Sequence, residues 1–83
     1  MDNIAQFAKP IQPISPELKQ QAENFHAQGY ASRKRGDYKQ AIALYSQALA
    51  ILPSHFKALF NRGFAYDKLG QFDLAIKDYS TAI

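Results

Sequence analysis

An all-α fold, an antiparallel array of helix hairpins with four helices, is what three observations on this 83-residue chain predict. The chain repeats itself at an offset of 34 residues, its apolar residues recur at helical spacing, and glycine or proline closes the periodic runs. At that offset Gly29 falls on Gly63, Ala31 on Ala65, Lys34 on Lys68 and Gly36 on Gly70. Further along, Ala41 meets Ala75, Ile42 meets Ile76, Tyr45 meets Tyr79, Ser46 meets Ser80 and Ala48 meets Ala82. These are nine identities in 21 aligned pairs, against about one expected from average composition.

Each element has a local reason. Residues 1–15 carry Pro10 and Pro13, with Pro16 next, a spacing that favours extended backbone and excludes a stable helix. Carrying Ile4, Phe7, Ile11 and Ile14, this leader is either a flexible segment or a strap that docks on the domain or on a neighbour. Ser15-Pro16-Glu17 is a strong helix start: serine at the N-cap, proline at the first helical position and an acid in the first turn. Leu18, Ala22, Phe25, Gly29 and Ser32 then form one helical stripe. Arg33-Lys34-Arg35 sets cations against the negative helix end before Gly36 stops the helix near position 35. A second helix, about 38–52, has Ala41, Ile42, Tyr45, Ala48, Leu49 and Leu52 on its apolar face and ends at Pro53. A third spans about 55–69 and stops at Gly70, and a fourth about 72–83. The expected organisation is thus a leader over 1–15, a first helix pair within 16–55 and a second, truncated pair within 56–83.

Composition excludes several functions. With no cysteine there is no disulfide framework, thiolate metal site or thiol nucleophile. No apolar run approaches the length of a membrane span and no signal-peptide pattern opens the sequence, so a soluble, intracellular, cytoplasmic chain is expected. A net charge of +3 does not by itself imply nucleic acid. The Arg33-Lys34-Arg35 cluster already serves a helix end and lacks the aromatic interleaving of single-strand readers. No phosphate-binding loop, nucleophile elbow or metal-ligand spacing is present, and His26 and His55 sit on different helices. The sequence therefore predicts no catalytic residues, no metal, no cofactor and no enzymatic activity. Asp67 and Asp73 read as solvated turn acids.

The repeat resembles the tetratricopeptide repeat. The first unit reads Phe25-x2-Gln28-Gly29-x2-Ser32, then Ala41-x3-Tyr45, Ala48 and Pro53. The second reads Leu59-x2-Arg62-Gly63-x2-Tyr66, then Ala75-x3-Tyr79 and Ala82. Gln28, Ser32 and Arg62 depart from the larger apolar residues usual there, which predicts looser packing of the first unit. The resemblance implies an α-solenoid fragment and non-catalytic protein–protein recognition or scaffolding. It also implies a concave face lined by Glu23, His26, Tyr30, Arg33 and Lys34 from one helix and by Lys57, Phe60, Asn61, Phe64, Asp67 and Lys68 from the other. In the expected groove, Tyr30, Phe60 and Phe64 anchor a partner peptide or helix, Asn61 holds its backbone, and Arg33, Lys34, Lys57 and Lys68 steer acidic partners. Asn61 stands where members that clamp a C-terminal carboxylate carry an asparagine. His26 and Tyr30 replace the lysine and asparagine of that clamp, so a clamp of that type is not expected.

A full second unit would run past Ile83. The sequence thus favours a piece of a longer array, or an end covered by another chain. Tyr66, Ile76, Tyr79 and Ile83 form the expected self-association face in the second case, through domain exchange or end-to-end stacking. A docking arm of a larger multidomain protein is the remaining alternative.

Overall fold

The computed structural model describes residues 15–83, and the leader's Ile4, Phe7, Ile11 and Ile14 lie outside them. The described chain is four helices without a strand: α1 (Pro16–Lys34), α2 (Tyr38–Ile51), α3 (Phe56–Lys68) and α4 (Phe72–Ala82). Polar caps start three of them. The Ser15 hydroxyl accepts from the Leu18 N–H at 3.1 Å, and the Asp37 carboxylate from the Gln40 N–H at 3.2 Å. At α3 the cap is a histidine, whose Nδ1 accepts from the Ala58 N–H at 3.2 Å. Gln71, ahead of α4, makes no side-chain cap bond.

The turn inside each hairpin is the same object made twice. Gly36 and Gly70 take φ values of 80° and 76°, a left-handed conformation that a Cβ would strain. Each is followed by a bond that closes the preceding helix: Asp37 N–H to the Ser32 carbonyl and Gln71 N–H to the Tyr66 carbonyl, both 2.9 Å.

Packing runs in sequence order, α1 on α2, α2 on α3 and α3 on α4, with a lighter contact between α1 and α3. The core lies at the seam between the hairpins, where Ala41, Tyr45, Ala48 and Leu49 of α2 meet Ala58 and Leu59 of α3. Burying each large side chain there is worth about 1.5–3 kcal/mol. Small residues let the helices approach. A Cβ on Gly29 would stand 2.7 Å from the ring of the fully buried Tyr45. Leu18 shares the α1 stripe yet is exposed. The reason is length: α1 has 19 residues and α2 has 14, so the first turn of α1 overhangs its neighbour.

The departures from the repeat pattern have their own solution. Ser32 is buried, its hydroxyl accepting from Arg35 at 3.2 Å. Arg62 forms a two-pronged ion pair with the buried Asp78 of α4, Nε to Oδ2 at 2.7 Å and Nη2 to Oδ1 at 2.8 Å. Its Nη1 donates to the Ser46 hydroxyl of α2 at 3.1 Å. One guanidinium thereby joins three helices, and the Asp78 bonds hold it charged, raising its pKa against the cost of burial.

Candidate partner-binding groove

Tyr30, Arg33, Lys34, Phe64 and Lys68 come together where α1 and α3 end side by side. The Arg33 guanidinium lies 4.0 Å from the centre of the Phe64 ring and 5.3 Å from that of Tyr30. Lys68 Nζ stands 5.3 Å over Phe64, and Lys34 Nζ 5.8 Å over Tyr30. Tyr38, at the start of α2, stands beside Phe64 with its ring centre 6.4 Å away and tilted to it. Three cations thus share two aromatic faces, and none of them is within ion-pair distance of a carboxylate among the described residues. Cation–π attraction holds such cations in place without neutralising them. Tyr30 remains 43% exposed, so this edge of the patch faces solvent.

One helical turn or two toward the start of α1 and α3, the face becomes a polar cluster. Asn61 Nδ2 donates to His26 Nε2 at 3.0 Å. The His26 ring stands 5.0 Å from that of His55 and 5.6 Å from that of Tyr45. His55 is buried; with its Nδ1 accepting from Ala58, its Nε2 carries the proton and donates to Glu23 Oε1 at 2.9 Å. Burial lowers the His26 pKa below 6.5; the neighbouring His55 and, more weakly, Lys57 act the same way, against the opposing pull of Glu23. Beneath them burial pushes the Tyr45 hydroxyl up to about 12 although Arg33 pulls it down, and that hydroxyl has no hydrogen-bond partner among the described residues. Lys57 and Asp67 are exposed on the same helix. Among the described residues no group of three or more His, Cys, Asp or Glu side chains is placed to hold a metal ion.

Phe60 goes elsewhere. Its ring meets that of Tyr79 at 5.4 Å, and together with Phe56, Ala82 and Ile83 they line an apolar cleft of about 460 Å³ at the α3–α4 face. Of the residues expected on a self-association face, Tyr79 and Ile83 line this cleft. Ile76 is exposed away from it, and the Tyr66 ring lies 5.7 Å from the Arg62 guanidinium. Phe56 and Ala82 were not anticipated from the sequence. The repeat offset finds both, because Phe56, Phe60, Tyr79, Ala82 and Ile83 align with Ala22, His26, Tyr45, Ala48 and Leu49. In the first hairpin that surface is covered by His55, Ala58 and Leu59.

The profile of the family described as TPR repeat matches residues 29–70, half of the chain. The chain belongs to the tetratricopeptide repeat family. It is 36% identical over 67 residues to small glutamine-rich tetratricopeptide repeat-containing protein 2 of Saccharomyces cerevisiae, covering 81% of this chain and 19% of that protein. It is 35% identical over 78 residues to the heat-shock protein cognate co-chaperone sgt12 of Aspergillus fumigatus, covering 94% and 23% respectively. With tetratricopeptide repeat protein 36 of Danio rerio it shares 34% identity over 70 residues, 84% of this chain and 37% of that one. The chain spans about a fifth of the length of the first two relatives. As a tetratricopeptide repeat, it is a protein–protein interaction module. No helix among its described residues is long and apolar enough to cross a membrane.

Proposed function

We propose that this tetratricopeptide repeat pair is a non-catalytic docking or scaffolding unit that takes a partner peptide or helix along the α1–α3 face. The observation that carries this reading is Arg33 laid on Phe64 at 4.0 Å beside an exposed Tyr30, with Lys34 and Lys68 alongside and no carboxylate among the described residues paired to any of them. Such a surface offers aromatic anchor area and uncompensated positive charge together, which suits a partner segment with apolar and acidic residues. Asn61 adds hydrogen bonding to a partner backbone, and Lys57 extends the positive field. With Phe60 in the cleft, the two aromatic anchors Tyr30 and Phe64 give roughly 3–6 kcal/mol gross, and association costs at least about 4 kcal/mol. Two repeats alone then bind more weakly than millimolar, and tighter binding needs further repeats or charge contacts.

The relative sgt12, whose name makes it a co-chaperone, supports a partner that is itself a protein. The test is NMR shift mapping of the labelled chain against short acidic peptides with a leucine or phenylalanine anchor. Shifts should centre on Tyr30, Arg33, Phe64 and Lys68, and Tyr30→Ala with Phe64→Ala should remove them while helicity is kept. Shifts that survive that double variant and vanish with Phe60→Ala would move the site to the α3–α4 cleft.

A second reading rests on that cleft. Its aligned counterpart in the first hairpin is covered by a helix, so the cleft fits another helix, including one from a second copy of the chain. Sedimentation equilibrium over a hundredfold concentration range, with Tyr79→Glu alongside, decides it. A dimer that Tyr79→Glu dissolves supports self-association, and a monomer throughout rejects it.

A further inference from the structure

The polar cluster beside the aromatic patch does more than fill a seam. Asn61 has two N–H donors and one carbonyl acceptor on its side chain. With His26 neutral, its Nε2 lone pair takes one of those N–H groups at 3.0 Å. The remaining N–H and the carbonyl Oδ1 are then left for the groove, a donor beside an acceptor, the pattern that matches a peptide unit. Once His26 is protonated, Nε2 carries a hydrogen and has nothing to accept with. Two donors then face each other, and the amide relieves this by turning over to place Oδ1 on His26. Both N–H groups are then offered to the groove, the pattern that matches a carboxylate.

We propose that His26 is the positioning residue for the Asn61 amide, and that proton uptake by His26 turns this amide and converts the groove from peptide-unit recognition to anion recognition. The proposal deepens the groove reading and rests on it for its consequence, although the pair itself is a property of the free chain. The groups facing His26 are Glu23 on its own helix, Tyr45 on α2, His55 ahead of α3, and Lys57 with Asn61 on α3. Of these, His55 and Lys57 resist the proton and Glu23 invites it, while Tyr45 stays neutral until strongly alkaline pH. The His55 hydrogen bonds do not compete for the same atom, since they run to Glu23 and to the Ala58 N–H. Burial keeps His26 uncharged at neutral pH, so the change belongs to mildly acidic conditions, with a midpoint below 6.5. Linkage gives the sign for stability. A histidine whose folded pKa is depressed leaves stability intact above 6.5 and erodes it as pH falls from there through the folded midpoint.

The experiment is an NMR titration of the full labelled chain from pH 8 to pH 5, without any partner. It follows the His26 ring nitrogens and the Asn61 side-chain amide. At pH 8 the Asn61 amide protons should show contacts to the His26 ring; these should disappear with the same midpoint at which His26 titrates. Two variants sharpen the result. Asn61→Asp puts a carboxylate on Nε2 and should raise the His26 midpoint by about one unit or more. His55→Asn keeps a capping side chain ahead of α3 while removing the second ring, and should move the midpoint up toward 6.5. Asn61 resonances that ignore the His26 titration would overturn the proposal, as would a midpoint unmoved by Asn61→Asp. Because no peptide is used, failure here leaves the groove reading standing, and failure of peptide mapping leaves the amide switch standing.

Discussion

The two hairpins share one backbone and solve the same packing problem with different chemistry. In the first, Gln28 and Leu44 occupy the aligned positions that Arg62 and Asp78 fill in the second. Leu44 is buried as an apolar side chain, whereas Asp78 is equally buried as a charge held by Arg62. Tyr45 is wholly enclosed because α3 covers it, while Tyr79, its counterpart, borders the open α3–α4 cleft. Asp37 caps α2 with its carboxylate, and Gln71 leaves α4 uncapped. Identical turns therefore do not make identical units. The first hairpin is tied down by its neighbour, and the second by its own ion pair.

The largest effect should come from breaking that ion pair. Asp78→Ala strips the partner from Arg62 at a site where the aspartate side chain is 6% exposed and the arginine 22%. A loss of about 2–4 kcal/mol is expected, because the remaining charge stays partly buried without compensation. Giving the second hairpin the first one's residues, Arg62→Gln with Asp78→Leu, should bring stability back to within about 1 kcal/mol of the native chain. Urea unfolding followed by helicity measures both. A double variant as unstable as Asp78→Ala would mean that the pair, with its link to Ser46, is required by the second hairpin and is not interchangeable with apolar packing.

How much of this could be read in the chain depends on whether the cause is local. The hairpins follow from periodicity and from Gly36, Gly70 and Pro53, all of which act within a few residues. Gly29 and Gly63 lack side-chain bulk where the antiparallel helices approach closely, and in the structure each faces the tyrosine 16 residues on. Arg62 looked like a departure that loosens packing. Its meaning appears only when the offset is read for pairs, since Gln28 and Leu44 change together into opposite charges. Phe60 and Phe64, four residues apart, are assigned one face by helical spacing. Which neighbours they meet is decided by where the flanking helices lie: α4 reaches Phe60, and the end of α1 with Tyr38 reaches Phe64. The histidine cap of α3 was hidden for a different reason. His55 is an uncommon capping residue, and its Glu23 partner is 32 residues away.

A middle-sized effect separates the two glycines. A Cβ at Gly29 meets the Tyr45 ring at 2.7 Å and 2.8 Å, and that ring has nowhere to go. At Gly63 the corresponding distances to Tyr79 are 2.9 Å and 3.0 Å, with the Ala75 carbonyl at 3.3 Å, and Tyr79 can swing toward the cleft. Overpacking costs about 1–3 kcal/mol, and alanine returns up to about 1 kcal/mol of helix propensity. Gly29→Ala should therefore destabilise by about 1–2 kcal/mol and Gly63→Ala by less than about 0.5 kcal/mol on those same scales. Equal losses in urea unfolding would show that Tyr79 is as confined as Tyr45, and that the cleft beside it is closed in solution.

The smallest effect lies at the uncapped helix. Gln71 and Asp37 are aligned, both have non-helical backbone, with φ near −90° and ψ near 70°, and only the aspartate bonds the N–H three residues on. Gln71→Asp should reproduce that bond to the Leu74 N–H and place a negative charge at the helix start, a gain of about 0.5–1 kcal/mol. Asp73 tempers it, since a second acid already occupies the first turn of α4 and the two charges repel. Salt screens the dipole attraction and this repulsion together, so the part of the gain that survives at high ionic strength is that of the hydrogen bond. Hydrogen exchange at the start of α4 reads the change directly. Slower exchange confined to that turn, with the rest of the hairpin unaltered, is the outcome that makes the missing cap a local difference between the two hairpins. No change in exchange would mean that packing of the buried Ala75, and not the cap, sets where α4 begins.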